Sequence, residues 1–245
     1  MNAPKYTKTE LLIEVIARML DGLNHVAVGA SSPIPGAAAL LARARSGGTP
    51  RVSVLSSLRH NDFTDGAREL FDCAAQGRID AFFLGGGQID GEANVNLVGL
   101  GDYPKLNVRF AGSYGSAYLY FLVPRVILFR PEHSRRVMVS KVDFISAPGT
   151  SPPGLYRPGG PYALVTERCI FSFNKEACRF CLQSIHEGET VESIRKNTGF
   201  DFDCPPQTLQ TPPPSATALE LIRGDVGINI AEVYPKFARE FLSLS

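Results

Sequence analysis

The residues most open to chemistry lie in short glycine-rich or charged stretches. The densest is Gly85-Gly86-Gly87-Gln88-Ile89-Asp90-Gly91, followed by Asn94-Val95-Asn96. It follows an apolar run at residues 79–84, and in open α/β sheets ligands bind beyond the carboxyl ends of the strands. Consecutive glycines let a backbone pass close to a ligand or a neighbouring chain. The same letters also suit a tight turn before a strand at Asn94. A second glycine loop, Gly112-Ser113-Tyr114-Gly115, offers backbone amides of the kind that form an oxyanion hole, or again a simple turn. Neither stretch has the strand–GxGxxG–helix layout with a later acidic residue, so a dinucleotide fold is not expected.

The four histidines are scattered. His60, with Arg59, Asn61 and Asp62, makes a polar turn after the apolar run at 51–58; a solvated turn is its simpler reading. His133, with Arg135 and Arg136, forms a basic cluster that could meet a phosphate, or else a solvated loop or an ion pair. Neither HExxH nor GxSxG occurs. Cys178-Arg179-Phe180-Cys181, with Cys169 and His186 nearby, has a zinc-like spacing. On a strand, however, Cys178 and Cys181 would face opposite sides, and no second CxxC exists. Buried thiols and no metal are therefore expected, with Cys73 in the core.

The elements that must carry these residues alternate. Thr7-Lys8-Thr9-Glu10 matches a capping box, ahead of a helix burying Leu11, Leu12, Val15, Ile16 and Met19 and ending at Asp21-Gly22. Strands are expected at 25–30, 51–58 and 79–84, the last apolar on both faces as in a central strand, with weaker ones at 126–129 and 142–146. Helices fall at 37–44, where small residues permit close packing on a sheet, and at 66–76. The predicted fold class is α/β, with a mostly parallel sheet flanked by helices. Beyond Gly149 the texture changes. A Pro-rich extended segment (150–162) precedes two adjacent strands (164–173 and 177–185), a hairpin-like region. A short helix (190–197), a second Pro-rich extended segment (205–214) and a last helix (216–223) follow. The whole chain, 1–245, reads as one domain.

Of the 245 residues, 44% are hydrophobic and 20% charged, enough for a sizeable core. A formal net charge of +1 gives no bulk attraction to nucleic acid or membrane. The polar start and the absence of a long apolar run lead to the expectation of a cytoplasmic protein that does not span a membrane. Five cysteines, an odd number, fit reduced thiols.

Taken in order, the segments resemble the β-type subunit of the glutaconate CoA-transferase family. The ordered set runs from the Thr9 helix and the Val28-Gly29 strand end through GGGQIDGEANVN (85–96) and Gly101-Asp102-Tyr103. It continues through RFAGSYGS (109–116), HSRR (133–136) and KVDFISAPG (141–149) to Leu164-Val165-Thr166 and NTGFDFD (197–203). Each motif is modest; their order over residues 5–225 is specific. The resemblance implies a class I CoA-transferase-like α/β fold and an acyl-CoA substrate, so coenzyme A enters as substrate. It also implies an active site shared with an α-type subunit, in an α2β2 heterotetramer. In such transferases a glutamate of the β subunit attacks the thioester, which is covalent catalysis by a carboxylate. The loop at Gly112 resembles the oxyanion loop, with Tyr114 in place of a glycine, and Gly86, Gly87, Gln88, Ser113 and Gly115 complete the implied substrate-binding set.

The departure is at the nucleophile. The stretch that carries the family's glutamate reads Val54-Leu55-Ser56-Ser57, with Leu55 in the glutamate's place. Leucine cannot attack a carbonyl. The expected function is therefore acyl-CoA chemistry without a glutamyl-CoA intermediate, hydrolase- or lyase-like, with Ser56, Ser57 and His60 as candidates to position water or substrate. Two alternatives stand beside it: a true transferase whose carboxylate is displaced or comes from the partner, and a non-catalytic subunit that completes a partner's site.

Overall fold

The computed structural model describes residues 5–242. The chain divides into two compact units: one holds the chain up to Phe83 and again from Pro212, the other Leu84–Thr211.

The first unit opens with helix α1 (Lys8–Arg18), started by the expected capping box. Thr7 N–H donates to Glu10 Oε2 at 2.7 Å, and Glu10 N–H donates to Thr7 Oγ1 at 3.2 Å. The helix stops at Arg18, so Met19 is its half-buried C-terminal cap and Leu20 takes the buried place expected for Met19. Strand β1 (His25–Val28) leads into α2 (Pro33–Arg45), which begins four residues before the expected Ala37. Proline lacks an N–H and is tolerated in a first helical turn, where that donor has no partner. Strand β2 (Arg51–Val54) is shorter than the expected 51–58. Ser56 adopts φ 76°, a left-handed conformation that ends any extended run. Helix α3 (Gly66–Ala75) and strand β3 (Ala81–Leu84) follow, and β3 is buried at all four positions as a central strand should be. Both β2 and β3 pair in parallel with β1.

The second unit begins with two small antiparallel pairs, β4 (Gln88–Ile89) with β5 (Val95–Asn96) and β6 (Gly99–Leu100) with β7 (Val108–Arg109). Helix α4 (Ser116–Leu122) leads to β8 (Arg125–Phe129), which pairs in parallel with β9 (Pro161–Val165). The expected strand at 142–146 is absent. Asp90 Oδ2 takes Val142 N–H and Gln88 Oε1 takes Asp143 N–H, so side chains satisfy the amides that a strand would have paired. The expected strand at 164–173 is two strands, β9 and β10 (Cys169–Asn174), because Thr166 Oγ1 accepts from Arg168 and Cys169 N–H and turns the chain. β10 forms an antiparallel hairpin with β11 (Arg179–Ile185), beside helix α5 (Val191–Asn197). The second Pro-rich segment supplies β12 (Leu209–Gln210), parallel to β11. Four of the six main ladders within the units are thus parallel and two antiparallel. An aromatic cluster of Phe171, Phe180, Phe200 and Phe202 fills this unit's core, and the NTGFDFD motif supplies the last two.

On returning to the first unit, helix α6 (Ala216–Leu221) does not end near Arg223 as expected. It runs through a π-turn (Ile222–Val226), kinked at Gly224, into α7 (Gly227–Ala231), and α8 (Pro235–Phe241) follows. Arg223 reaches α1, donating from Nε to Glu10 Oε1 at 2.6 Å. Among the described residues no helix is long and apolar enough to cross a membrane.

His133, read from sequence as part of a phosphate-binding cluster, is 2% exposed. Its Nδ1 and Nε2 lie 2.9 Å from the hydroxyls of Thr166 and Thr198. Burial, with the Arg168 charge adding to it, pushes its pKa down to about 4. The folded state thus disfavours the imidazolium, and the stabilisation held at neutral pH is lost as pH falls from the unfolded value toward 4. We expect urea unfolding to lose about 2 kcal/mol between pH 7 and pH 5 from this residue, and a His133→Asn variant to show a correspondingly flatter pH dependence. Equal slopes in the two proteins would refute that assignment.

Candidate functional site

At the end of β2 the chain makes a tight polar turn, and its groups are brought together by the C-terminal helices rather than by their own neighbours. Leu55 N–H donates to Val28 O at 2.9 Å, which holds the half-buried Leu55 at the strand end. Ser56 is exposed. Ser57 is buried; its Oγ accepts from the N–H groups of Arg59 (3.2 Å) and His60 (2.9 Å) and donates to Glu232 Oε2 at 2.6 Å. Glu232 Oε1 accepts Leu58 N–H at 2.8 Å. His60 Nδ1 lies 3.2 Å from an Arg43 guanidinium nitrogen and its Nε2 lies 2.9 Å from Asn229 Oδ1. Arginine only donates, so Nδ1 accepts and Nε2–H donates to Asn229. Asn229 is held in turn, donating to Asp225 O and Oδ1. Beside this turn Tyr234 Oη accepts Ser32 N–H at 3.1 Å, in the loop after β1.

Three of the residues singled out from sequence therefore have settled places. Ser57 and His60 are brought together, and every polar atom of theirs named above is engaged. Ser56 stands apart in a left-handed conformation. The residue that sequence reasoning missed is Glu232. Partial burial pushes its carboxyl pKa up, but the hydrogen bonds from Ser57 and Leu58, with the charges of His60 and Arg59, outweigh this and hold it below the ordinary glutamate value. It is a half-exposed carboxylate beside the stretch in which Leu55 stands. It lies 175 residues from Ser57, on a helix with no motif, and no local pattern marks it.

In the second unit, GGGQIDGEANVN is an internally satisfied scaffold. Gln88 Oε1 accepts from Asn96 Nδ2 at 2.8 Å and from Asp143 N–H at 2.9 Å. Asp90 accepts from the amides of Glu92, Asn94 and Val142 and from the Asn94 side chain. Burial pushes its pKa up, and those hydrogen bonds only partly oppose the rise. A Cβ on Gly87 would sit inside the Phe110 ring, and one on Gly86 would lie 2.9 Å from Asn96 O. These glycines are packed against their own chain, Gly86 and Gln88 are buried, and Gly87 N–H is held by Asn96 O. The turn before Asn94, the plainer of the two sequence readings, describes this geometry.

The Gly112 loop is the more open of the two. Gly112 has φ 106° and its N–H donates to Leu97 O at 3.2 Å, so this amide points inward. Ser113 O caps α4 through Ser116 N–H. Tyr114 adopts φ 44° and is 86% exposed, and Gly115 is the residue that opens the helix.

The basic cluster is tied up within the chain. Arg136 donates to Glu132 at 2.9 Å and Arg135 Nε to Lys196 O at 2.9 Å. Cys169 is buried on β10 and its thiol is pushed up by that burial, whereas Cys178 sits exposed in the β10–β11 turn. Among the described residues, no group of three or more His, Cys, Asp or Glu side chains could hold a metal ion.

Comparison with known proteins adds to this geometry. The sequence profile of the coenzyme A transferase family matches residues 12–197. The B-type subunit of 3-oxoadipate CoA-transferase from Pseudomonas knackmussii is 34% identical over 153 residues, which is 60% of this chain and 58% of that protein. The B-type subunit of glutaconate CoA-transferase from Acidaminococcus fermentans is 31% identical over 151 residues, 59% of this chain and 56% of that protein. The match thus spans little more than half the length of each relative. The solved glutaconate coenzyme A-transferase of that organism shares the fold, with a TM-score of 0.80 at 24% identity over 100% of both chains. A variant of the decarboxylase AibA/AibB has a TM-score of 0.76 at 26% identity, over 94% of this chain and 100% of that one.

Proposed function

The chain belongs to the coenzyme A transferase family, and from that premise we propose that it is a β-type subunit acting on an acyl-CoA thioester without a glutamyl intermediate on β2. The observation that carries this reading is the exchange at the strand end. Leu55 stands where the resemblance implies a glutamate, and the carboxylate held there is Glu232, tied to Ser57 and Leu58 N–H. Glu232 is then a general base. It takes a proton from water as the water oxygen bonds to the acyl carbon, and the bond to sulfur or to carbon breaks with the proton returned to the leaving group. Ser57 and His60 act through it: Ser57 aims the carboxylate, and the Asn229–His60–Arg43 chain fixes the turn. The Gly112–Gly115 loop is assigned to the thioester carbonyl, with donors other than the Gly112 amide, and Gly86, Gly87 and Gln88 form the scaffold of its unit. Two relatives are named as one subunit of a larger enzyme and a third as the two-part AibA/AibB, which supports an α-type partner in an α2β2 assembly. The substrate would be handled in the cytoplasm.

A second reading draws on the same carboxylate. In a transferase, a Glu232 oxygen bonds to the thioester carbonyl and expels CoA thiolate. The thiolate then attacks the glutamyl carbonyl, releasing the acyl carboxylate and leaving a glutamyl-CoA thioester for the acceptor acid. One experiment separates the two. The complex with its partner is incubated with a panel of acyl-CoAs, with and without acetate, and all CoA species are weighed by mass spectrometry. Acceptor-independent gain of water or loss of CO2 is the expected result. A new acyl-CoA formed only with acceptor, together with a borohydride-trapped thioester at Glu232, would replace this reading with the second.

A further inference from the structure

A cavity of ≈ 190 Å³ opens in the second unit between the 149–161 loop and the β10–β11 turn. Its lining includes Ser151, Arg157, Phe173, Lys175 and Cys178, and no acidic residue. Two cations face one small space without a counter-charge. That arrangement repels itself, since like charges at short range are unfavourable unless an anion sits between them.

Arg157 is the unusual member. Its guanidinium lies 5.1 Å from the Tyr120 ring centroid and 5.6 Å from that of Phe121, and it donates to Tyr120 O at 3.0 Å. Its Nε is buried without a hydrogen-bond partner. Three other arginines share that lack at Nε, but each has a carboxylate close by: Arg130 with Glu132, Arg168 with Glu189 and Arg179 with Asp203. Among the described residues Arg157 has no ion pair and neither has Lys175. Burying a cation without its counter-charge is costly, and a site built this way is stabilised by an anion. Burial pushes both pKa values down, and the Arg157 charge lowers that of Lys175 further. The turn bearing Lys175 is itself ordered: Asn174 Oδ1 accepts the N–H groups of Glu176 and Ala177, each at 3.0 Å. Arg157 is stacked and planar, suited to bidentate contact with an oxyanion, and Lys175 adds a point charge.

We propose that Arg157 and Lys175, with the Ser151 hydroxyl, form a binding site for a phosphate-type oxyanion. The phosphate could belong to coenzyme A, which rests on the function proposed above, or be free in solution, which does not.

Cys178 is exposed in the lining and serves as the reporter. The chain, in complex with its partner if one co-purifies, is treated with N-ethylmaleimide, and alkylation of Cys178 is followed by peptide mass spectrometry. Inorganic phosphate, CoA and dephospho-CoA are titrated in separate arms. We expect phosphate to protect Cys178. In Lys175→Met the half-protecting concentration rises about tenfold or more, equivalent to about 1.4 kcal/mol, and Lys175→Arg stays near the parent. Lys175 is exposed, so its replacement leaves the fold intact; Arg157→Met is the companion variant. CoA protecting better than dephospho-CoA assigns the site to the 3′-phosphate, and phosphate alone protecting assigns it to a free anion. The proposal is overturned if no arm protects Cys178, or if protection is the same in Lys175→Met as in the parent. Because the phosphate arm does not depend on acyl-CoA chemistry, its failure is separable from failure of the proposed function.

Discussion

Replacing Glu232 by glutamine lowers turnover of the acyl-CoA substrate by about a hundredfold or more, the range lost with a general acid–base group, with a much smaller change in KM. Glutamine keeps the shape of glutamate but cannot take a proton from water. It can accept from only one of the two donors that Glu232 now serves, Ser57 Oγ and Leu58 N–H. Leu58 is exposed, so water replaces the lost bond there and the stability cost stays near that of one hydrogen bond, about 1 kcal/mol. The parent's kcat should show an acid limb below the ordinary glutamate pKa, because the hydrogen bonds and neighbouring cations hold the folded carboxyl down. That limb should vanish in the glutamine variant and return in Glu232→Asp. A glutamine variant with turnover within about threefold of the parent would remove Glu232 from the reaction under both proposed readings.

Gly149→Ala is expected to destabilise the protein by about 3 kcal/mol or more, at the upper end of overpacking costs. A Cβ at this position would lie 2.6 Å from both Ala93 C and Ala93 O, and closer still to Glu92 O. All three are backbone atoms in a segment that cannot yield. Val95 N–H pairs with Ala147 O at 3.0 Å, Ser146 Oγ donates to Val95 O at 2.7 Å, and Gly149 N–H reaches Asn94 Oδ1 at 3.1 Å. Ala93 is already in a left-handed conformation, φ 60°, and has no easy conformation to retreat to. Urea unfolding with an unchanged m-value checks this. A loss under about 0.5 kcal/mol would mean that the two segments slide apart freely.

The same contacts explain why two motifs far apart in sequence, GEANVN and SAPG, belong to one pattern: each fills the other's backbone valences. The sequence exposes the motifs but not their docking, because a glycine required by a backbone far along the chain looks the same as a glycine in a flexible loop. Gly87 shows this most clearly. Its neighbours in sequence suggest access for a ligand, whereas the Phe110 ring occupies the space in question.

Elements with local causes were legible. The Thr7–Glu10 capping box and the doubly buried β3 depend on residues adjacent in the chain, and the structure places both as expected. The α/β class followed from alternation alone. Element ends were less legible. β2 stops at Val54 because Ser56 turns left-handed, and the 142–146 segment is no strand because Gln88 and Asp90 capture its amides.

By itself, then, the sequence determined the order of helices and strands, the family's set of motifs, and the absence of a carboxylate at Leu55. Tertiary structure alone decided what stands near that leucine and what the histidines do. His133 reads as one of a basic cluster, yet folding buries it between Thr166 and Thr198. Glu232 reads as one acid among many on a terminal helix, yet the π-turn and kink at Gly224 carry that helix back to Ser57. The reason is physical: hydrophobic patterning is written over a few residues and fixes local conformation. A hydrogen-bonded polar cluster is assembled across long loops and leaves no period in the chain that makes it.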